Sequence, residues 1–352
     1  MTKKVQNRLH LRQITMLNRI TAAELLRPAE KVSQNRLHSL RNLKAAVHLL
    51  LHRIKGGTFI KGRVIRKIKG FYYVNSDNNI YECKLRGALK IKNDKLNCIV
   101  GDIVEFDEKE QAICKVFERE NYLDRPLISN IDYAGITFAI KSPDFDYTNF
   151  QKVLLNVYDR NITPFVIFTK VDLISDTELK EFTDNFHMVF STLELDVFPV
   201  IATDDTALSD LREFIAGKIT AFSGPRGVGK STLINNLLNE DILRTGDISE
   251  KTDRGKHTTT ESRIFELDNS TLIVDTPGFS SLDFPKLKEK TALSRLFPDF
   301  QDYSVLCKFR DCTHINEPEC GVKSALENAK IPKLRYEFYL YSYNNIFREV
   351  KK

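Results

Sequence analysis

The chain is predicted to be multidomain, with a small β-barrel, then an α/β domain built on a mostly parallel sheet, then a mostly helical region around a cysteine cluster, all preceded by a basic extension. Three observations predict this. Short β-rich runs crowd together from Phe59 onward, strand-like and helical patterns alternate after Arg125-Pro126, and three of the six cysteines fall between Cys307 and Cys320 with His314 among them. The expected divisions are residues 1–57 for the extension, 58–126 for the barrel, 127–288 for the α/β domain and 289–352 for the helical region.

The extension stands apart by composition. Residues 1–56 hold twelve Lys and Arg against Glu24 and Glu30, with none of the aromatic residues, so a segment of +10 precedes a body of −4 within a total of +6. With few possible core contacts it is expected to form loose amphipathic helices or no fixed structure. The chain as a whole, at 42% hydrophobic and 28% charged, has ordinary globular composition, which excludes collagen-like, mucin-like and wholly disordered classes. No apolar run approaches the roughly 20 residues of a membrane-spanning helix, so no membrane partner is expected. Six cysteines are too few for a disulfide scaffold and point to a reducing compartment; Cys83, Cys98 and Cys114 are expected to be buried thiols.

Strands are predicted at 59–65, 70–74, 80–85, 103–106 and 112–117, separated by turn clusters such as 75–79, and five strands in so short a span close most simply as a barrel. In the next region strands are predicted at 133–140, 165–169, 197–201, 219–223, 262–267 and 271–275, with helices at 149–159, 176–190 and 230–238. This alternation argues a parallel sheet covered on both faces.

The segment Gly224-Pro225-Arg226-Gly227-Val228-Gly229-Lys230-Ser231-Thr232 fits the phosphate-binding loop, a strand before it and a helix after it. Glycines let backbone N–H groups turn toward phosphate oxygens, and the helix N-terminus adds a favourable partial charge. Lys230 is expected on the β- and γ-phosphates and Ser231 on Mg²⁺. Asp275-Thr-Pro-Gly278 ends an apolar strand, which places Asp275 near Mg²⁺ and the Gly278 amide near the γ-phosphate. Thr169-Lys170-Val171-Asp172 ends another, where the Asp172 carboxylate can accept both hydrogen bonds that guanine, unlike adenine, donates from N1 and its exocyclic amine. The nucleotide is therefore read as GTP. Ala202, in Ile201-Ala202-Thr203, follows a further strand where a backbone N–H would meet guanine O6. The run 254–260, containing His257, Thr258 and Thr259, lies where a switch loop would supply a threonine to Mg²⁺, here taken as Thr259.

The order of these motifs is informative. The guanine-reading Asp172 precedes the phosphate loop, whereas ordinary GTPases place it after, so the domain is read as circularly permuted. Further along, Cys307, Cys312, His314 and Cys320 offer three thiolates and an imidazole at close spacing, the complement of a closed, structural zinc site.

A small barrel, a permuted GTPase with His-Thr-Thr-Thr at 257–260 and Asp-Thr-Pro-Gly-Phe at 275–279, and a tail reading Cys312-Thr-His314 followed by Glu317-Pro318-Glu-Cys320 resemble the ribosome small-subunit-dependent GTPase A family. The resemblance spans about Phe59 to Tyr343. It implies an OB-fold, a permuted GTPase domain and a zinc-binding helical domain, with GTP hydrolysed to GDP under stimulation by the small ribosomal subunit during its late maturation. Phe279 stands where many GTPases carry a water-orienting Gln, and the resemblance supports His257 in that role.

Residues 61–95 hold ten Lys and Arg against three acids, interleaved with Phe71, Tyr72, Tyr73 and Tyr81, and are expected to touch rRNA. A permuted GTPase acting on another RNA and a nucleotide-gated binding module are the competing readings. Residues 1–56 allow three: an RNA-binding arm, an organelle-targeting presequence, or upstream sequence included by a misplaced start. A monomer in the cytoplasm is expected, or an organelle interior if the presequence reading holds.

Overall fold

The computed structural model describes residues 58–89, 97–124, 126–239, 263–276 and 283–347. The basic extension, the His257 loop and Gly278 lie outside these. Strands β1 (Phe59–Ile68), β2 (Phe71–Ser76), β3 (Asn79–Leu85), β4 (Ile103–Asp107) and β5 (Ala112–Val116) close a barrel in the order β1-β2-β3-β5-β4. The first strand is long enough to pair with β4 through 59–63 and with β2 through 63–68, a register shift between Val64 and Arg66 bending it from one partner to the other. Antiparallel pairs run throughout except at the β3–β5 closure, giving the OB-type connectivity.

Alternation along β2 decides which aromatic rings face water. Tyr72 and Val74 point inward against Val64, Cys83 and Phe106, whereas Phe71 and Tyr73 point outward. Tyr81 also packs on the core, its ring centroid 5.0 Å from that of Phe106. Of the four rings expected to touch rRNA, Tyr72 and Tyr81 therefore belong to the barrel core, which leaves Phe71 and Tyr73 outward. Cys83, Cys98 and Cys114 are buried free thiols as expected, and burial pushes the Cys83 thiol up to about 12.

A hairpin of β6 (Tyr122–Asp124) and β7 (Leu127–Ser129) follows the barrel. It is held by the buried Asp102 carboxylate, which accepts from Arg119 at 2.6 and 2.8 Å, from the Ser129 hydroxyl at 2.6 Å and from the Ile99 amide at 2.9 Å. Close approach fixes the adjoining residue as glycine, since a Cβ on Gly101 would fall 1.9 Å from the Ser129 carbonyl oxygen.

The central sheet comprises β8 (Tyr133–Ala139), β9 (Thr163–Thr169), β10 (Val197–Pro199), β11 (Ile219–Ser223), β12 (Arg263–Glu266) and β13 (Leu272–Asp275), ordered β10-β9-β8-β11-β13-β12. All neighbours run parallel except β12 against β13. The chain leaves the centre at β8, moves outward to β10, returns to β11 beside β8, and only then visits β12 and β13. Joining β13 to β8 and opening the chain before β11 would restore the order in which the phosphate-loop strand comes first, so the topology itself is circularly permuted. The reversal between β8 and β11 is a topological switch point, where open α/β sheets bind ligands at the carboxyl ends of the strands.

Helices cover both faces. α1 (Tyr147–Asp159) and α2 (Asp176–Val189) share a core with Ile136, Phe138 and Phe168, while α3 (Ser209–Ile215) and α4 (Lys230–Leu238) pack on Phe165, Ile167 and Phe222. α1 starts where Asp146 accepts from the Thr148 and Asn149 amides, and α2 at a reciprocal Ser175–Glu178 capping box. The carboxyl-terminal region is α5 (Lys290–Arg295), α6 (Pro298–Ser304), α7 (Gly321–Glu327) and α8 (Lys333–Phe347), centred on Phe297, Phe300 and Tyr339. Arg335 of α8, 2% exposed, forms a forked pair with Asp299 at 3.0 Å on both arms and reaches Gln151 of α1 at 2.9 Å. At the other end of the sheet, Arg63 of the barrel donates to Asp132, which also accepts from the Ile219 amide at the start of β11. Among the described residues no helix is long and apolar enough to cross a membrane.

Candidate nucleotide and metal sites

The phosphate-loop motif connects β11 to α4, at the switch point. Gly224 lies so close to β8 that a Cβ would stand 2.1 Å from the Thr137 carbonyl oxygen. Gly227 and Gly229 take φ of 78° and 89°, the left-handed region that glycine enters without cost. No side chain caps α4, so the amides of its first turn keep their donors for an anion.

Two side chains from the end of β9 hold this loop from below. The Thr169 hydroxyl, fully buried, donates to the Val228 carbonyl, with Phe138 O a second acceptor at 3.3 Å. Lys170, with φ of 57°, sends its ammonium to the Gly227 carbonyl at 2.7 Å and to the Ser142 carbonyl. With the carbonyls of Gly227 and Val228 engaged toward β9, their peptide planes turn the N–H groups the other way, into the loop. Asp172 follows in a short 3₁₀ turn, Val171–Leu173, and is exposed. Ala202, 9% exposed, lies just past β10 on the next strand end.

Lys230 forms an ion pair with Asp275, the last residue of β13, which is in register with Phe222 of β11. Thr276 fixes that strand end by donating its hydroxyl to the Phe222 carbonyl at 3.0 Å. The structure thus brings Thr169, Lys170, the 224–232 loop and Asp275 together, with Asp172 and Ala202 on neighbouring strand ends. Asp275, expected on Mg²⁺ together with Ser231, is held by Lys230, so binding a cation there would require it to exchange its lysine partner. His257, Thr258, Thr259 and Gly278 fall outside the described residues. Sequence reasoning missed the loop-bracing role of Lys170 and the Thr276 tie, since neither contact has a local spacing signature.

The Cys307, Cys312, His314 and Cys320 ligand atoms lie within 4.8 Å of one another. Nδ1 of His314 is 3.5 Å from both Cys307 Sγ and Cys320 Sγ, which are 3.8 Å apart. A tetrahedron with metal–sulfur bonds of about 2.3 Å and metal–nitrogen bonds of about 2.05 Å has S···S edges of about 3.8 Å and S···N edges of about 3.6 Å. The donor set fits one tetrahedral ion. Burial holds the His314 imidazole below its ordinary pKa, favouring the neutral form that ligates. Glu317 braces the turn, accepting from the Thr313 hydroxyl at 2.6 Å and from the amides of Thr313, Ile315 and Asn316 at 2.8, 3.0 and 3.1 Å. Burial opposes its charge, but these bonds outweigh burial and hold the carboxyl at about 2. Tyr336 and Tyr339 of α8 donate to the His314 and Thr313 carbonyls at 2.7 and 2.6 Å, tying the cluster to the helical core.

On the barrel exterior Arg66 sits 4.5 Å from the Tyr73 ring and Lys84 4.9 Å from the Phe71 ring, so the outward aromatics are each paired with a cation.

Comparison with known proteins places this arrangement in a family. Residues 61–114 match the model of the RsgA N-terminal domain and residues 116–285 that of the RsgA GTPase. The small ribosomal subunit biogenesis GTPase RsgA of Fusobacterium nucleatum is 43% identical over 276 residues, 78% of this chain and 96% of the relative. The protein of the same name from Clostridium novyi is 41% identical, over 82% of this chain and 98% of its own length. Among solved structures, YloQ, described as a circularly permuted GTPase, is 29% identical with a TM-score of 0.65, covering 82% of this chain and 95% of that one. YjeQ from Thermotoga maritima is also 29% identical, with a TM-score of 0.64 and coverage of 83% and 100%. With its barrel, its permuted sheet and its phosphate loop at the switch point, this chain belongs to the RsgA family of circularly permuted GTPases and is a GTP hydrolase.

Proposed function

We propose that this chain hydrolyses GTP on the small ribosomal subunit, which stimulates it, and so acts as a late maturation factor of that subunit. The observation that carries the reading is the meeting, at the carboxyl end of one sheet, of a phosphate loop and a Lys170-Xaa-Asp172 strand end, in a chain 43% identical to a protein named for small-subunit biogenesis. In this reading the 224–232 loop cradles the phosphates, Lys230 leaves Asp275 for them, and Mg²⁺ takes Ser231, Asp275 and Thr259. Asp172 reads guanine, Ala202 offers its amide to O6, the Gly278 amide meets the γ-phosphate, and His257 orients the attacking water. The cysteine cluster holds one structural zinc ion, with no open position for catalysis.

The division of labour follows the segments 58–126, 127–288 and 289–352. The barrel meets rRNA through Arg66, Phe71, Tyr73 and Lys84, whose paired rings and cations suit base stacking beside phosphate. The zinc-bearing region supplies a second rRNA contact, and the protein works as a monomer in the cytoplasm. Co-sedimentation with purified small subunits tests this: stable association with a non-hydrolysable GTP analogue and weaker association with GDP are expected. Equal sedimentation with both nucleotides, or none with either, would contradict it.

A further inference from the structure

Among the described residues three cationic side chains border the phosphate loop, and the protein itself engages two. Lys230 is paired with Asp275, and Lys170 is spent on the Gly227 and Ser142 carbonyls. The third is Arg226, on the loop, exposed, with no hydrogen bond, ion pair or aromatic ring engaging its guanidinium among the described residues. Its neighbours sharpen the contrast. Pro225 fixes the backbone before it and has no N–H to donate, so the loop has one amide fewer for an anion at this stretch, and the Arg226 guanidinium is the additional donor there. Beyond it, the carbonyls of Gly227 and Val228 are drawn toward β9, so the N–H groups that share their peptide planes, those of Val228 and Gly229, point away from β9.

The loop amides and the first turn of α4 serve the inner phosphates, and Lys230 reaches between the β- and γ-phosphates. The outward oxygens of the terminal phosphate, where hydrolysis takes place, are what a second cation on the exposed loop can add to. A guanidinium is suited to it, because its planar fork matches two phosphate oxygens at once and keeps its charge at any working pH. We propose that Arg226 engages the terminal phosphate of GTP and supplies, from within the loop, the arginine that other phosphoryl-transfer enzymes bring from a separate segment or a partner. The proposal deepens the GTPase reading and rests on it.

The step is ordinary hydrolysis. The water oxygen bonds to the γ-phosphorus as the bond from that phosphorus to the β–γ bridging oxygen breaks. The electron pair of the broken bond leaves with GDP, and the water's protons pass to inorganic phosphate and solvent. Arg226 transfers no proton; its charge balances that of the phosphoryl oxygens as the bond loosens. Phe279, which cannot orient a water by hydrogen bonding, makes such a cation the more consequential.

The test uses the full chain, its R226A and R226K variants, and K230A as a loop-dead control. Affinities for GDP and for a β,γ-imido GTP analogue are measured by equilibrium binding, and hydrolysis by single turnover without subunits. R226A is expected to lose about tenfold in analogue affinity with GDP affinity held within about threefold, and about a hundredfold in hydrolysis rate. R226K is expected to recover analogue binding but not the rate. If R226A kept the wild-type ratio of analogue to GDP affinity, or hydrolysed GTP at the wild-type rate or faster, the Arg226 proposal would be overturned while the GTPase reading stood. Failure of the wild-type chain to bind either nucleotide would overturn both.

Discussion

Asp172 is exposed and carries no hydrogen bond or ion pair within the described residues, so its carboxylate is available to a ligand. Guanine would give it two donors. Replacing it by Asn puts an amide donor where a second acceptor was, opposing one guanine N–H while suiting the 2-oxo group of xanthine. Asp172→Asn is expected to weaken GTP by about a hundredfold, on the order of 2–3 kcal/mol for hydrogen bonds to a charged group, and to improve xanthosine triphosphate; unchanged GTP affinity in a competition assay would refute the guanine assignment. Gly224 gives a second prediction at this scale. With a Cβ only 2.1 Å from the Thr137 carbonyl, Gly224→Ala must push the loop off β8, so nucleotide binding should be lost while circular dichroism stays that of the folded chain.

At the scale of elements, α1 serves two cores at once. Phe150 and Val153 pack on the sheet, whereas Leu155, Gln151 and Asn156 face the carboxyl-terminal region, the last donating to the Asp283 carbonyl at 2.8 Å. The forked Arg335–Asp299 pair sits in that junction, almost fully buried. Removing one partner strands the other, so Asp299→Ala should cost about 3–5 kcal/mol in denaturant unfolding, whereas the double change Arg335→Met with Asp299→Leu should recover most of it. Equal losses in the single and double variants would mean that packing rather than charge is at stake.

Which elements the sequence made legible follows from the same physics. β11 and α4 were expected at the residues where they occur, 219–223 and 230–238, because the phosphate-loop motif punctuates both ends. The 122–129 hairpin and α3 were not anticipated, and within the carboxyl-terminal region, expected to be mostly helical, the individual helices α5 to α7 were not placed. They are three to seven residues long, too short to show a period, and are held by partners distant in sequence, as Ser129 is by Asp102 and Leu211 by the core beneath β9. Among the candidate site residues, the loop and the four metal ligands were legible because their spacing is local. The inward turn of Tyr72 was not, since strand alternation shows that neighbouring residues face opposite sides but not which side is the core.

Across the whole molecule, permutation links the nucleotide to the metal-bearing region: the strand carrying Asp275 leads onward to the helical core, where in an unpermuted domain it would lead back into the sheet. Cys312 and Cys320 are themselves buried members of the core of these helices, so an ion held there should contribute to folding. Removal of metal by a strong chelator is expected to lower the melting temperature of the full chain and to release about one zinc equivalent per chain, with Cys312→Ser reproducing the loss; retention of both stability and metal content in that variant would contradict the site. The basic extension accounts for the positive net charge, yet the groups argued to meet RNA lie on the barrel. The most direct measurement is GTP turnover by the full chain with and without purified small ribosomal subunits. A rise in kcat of at least tenfold that large subunits do not reproduce is the predicted result, and a rate indifferent to small subunits would contradict the account.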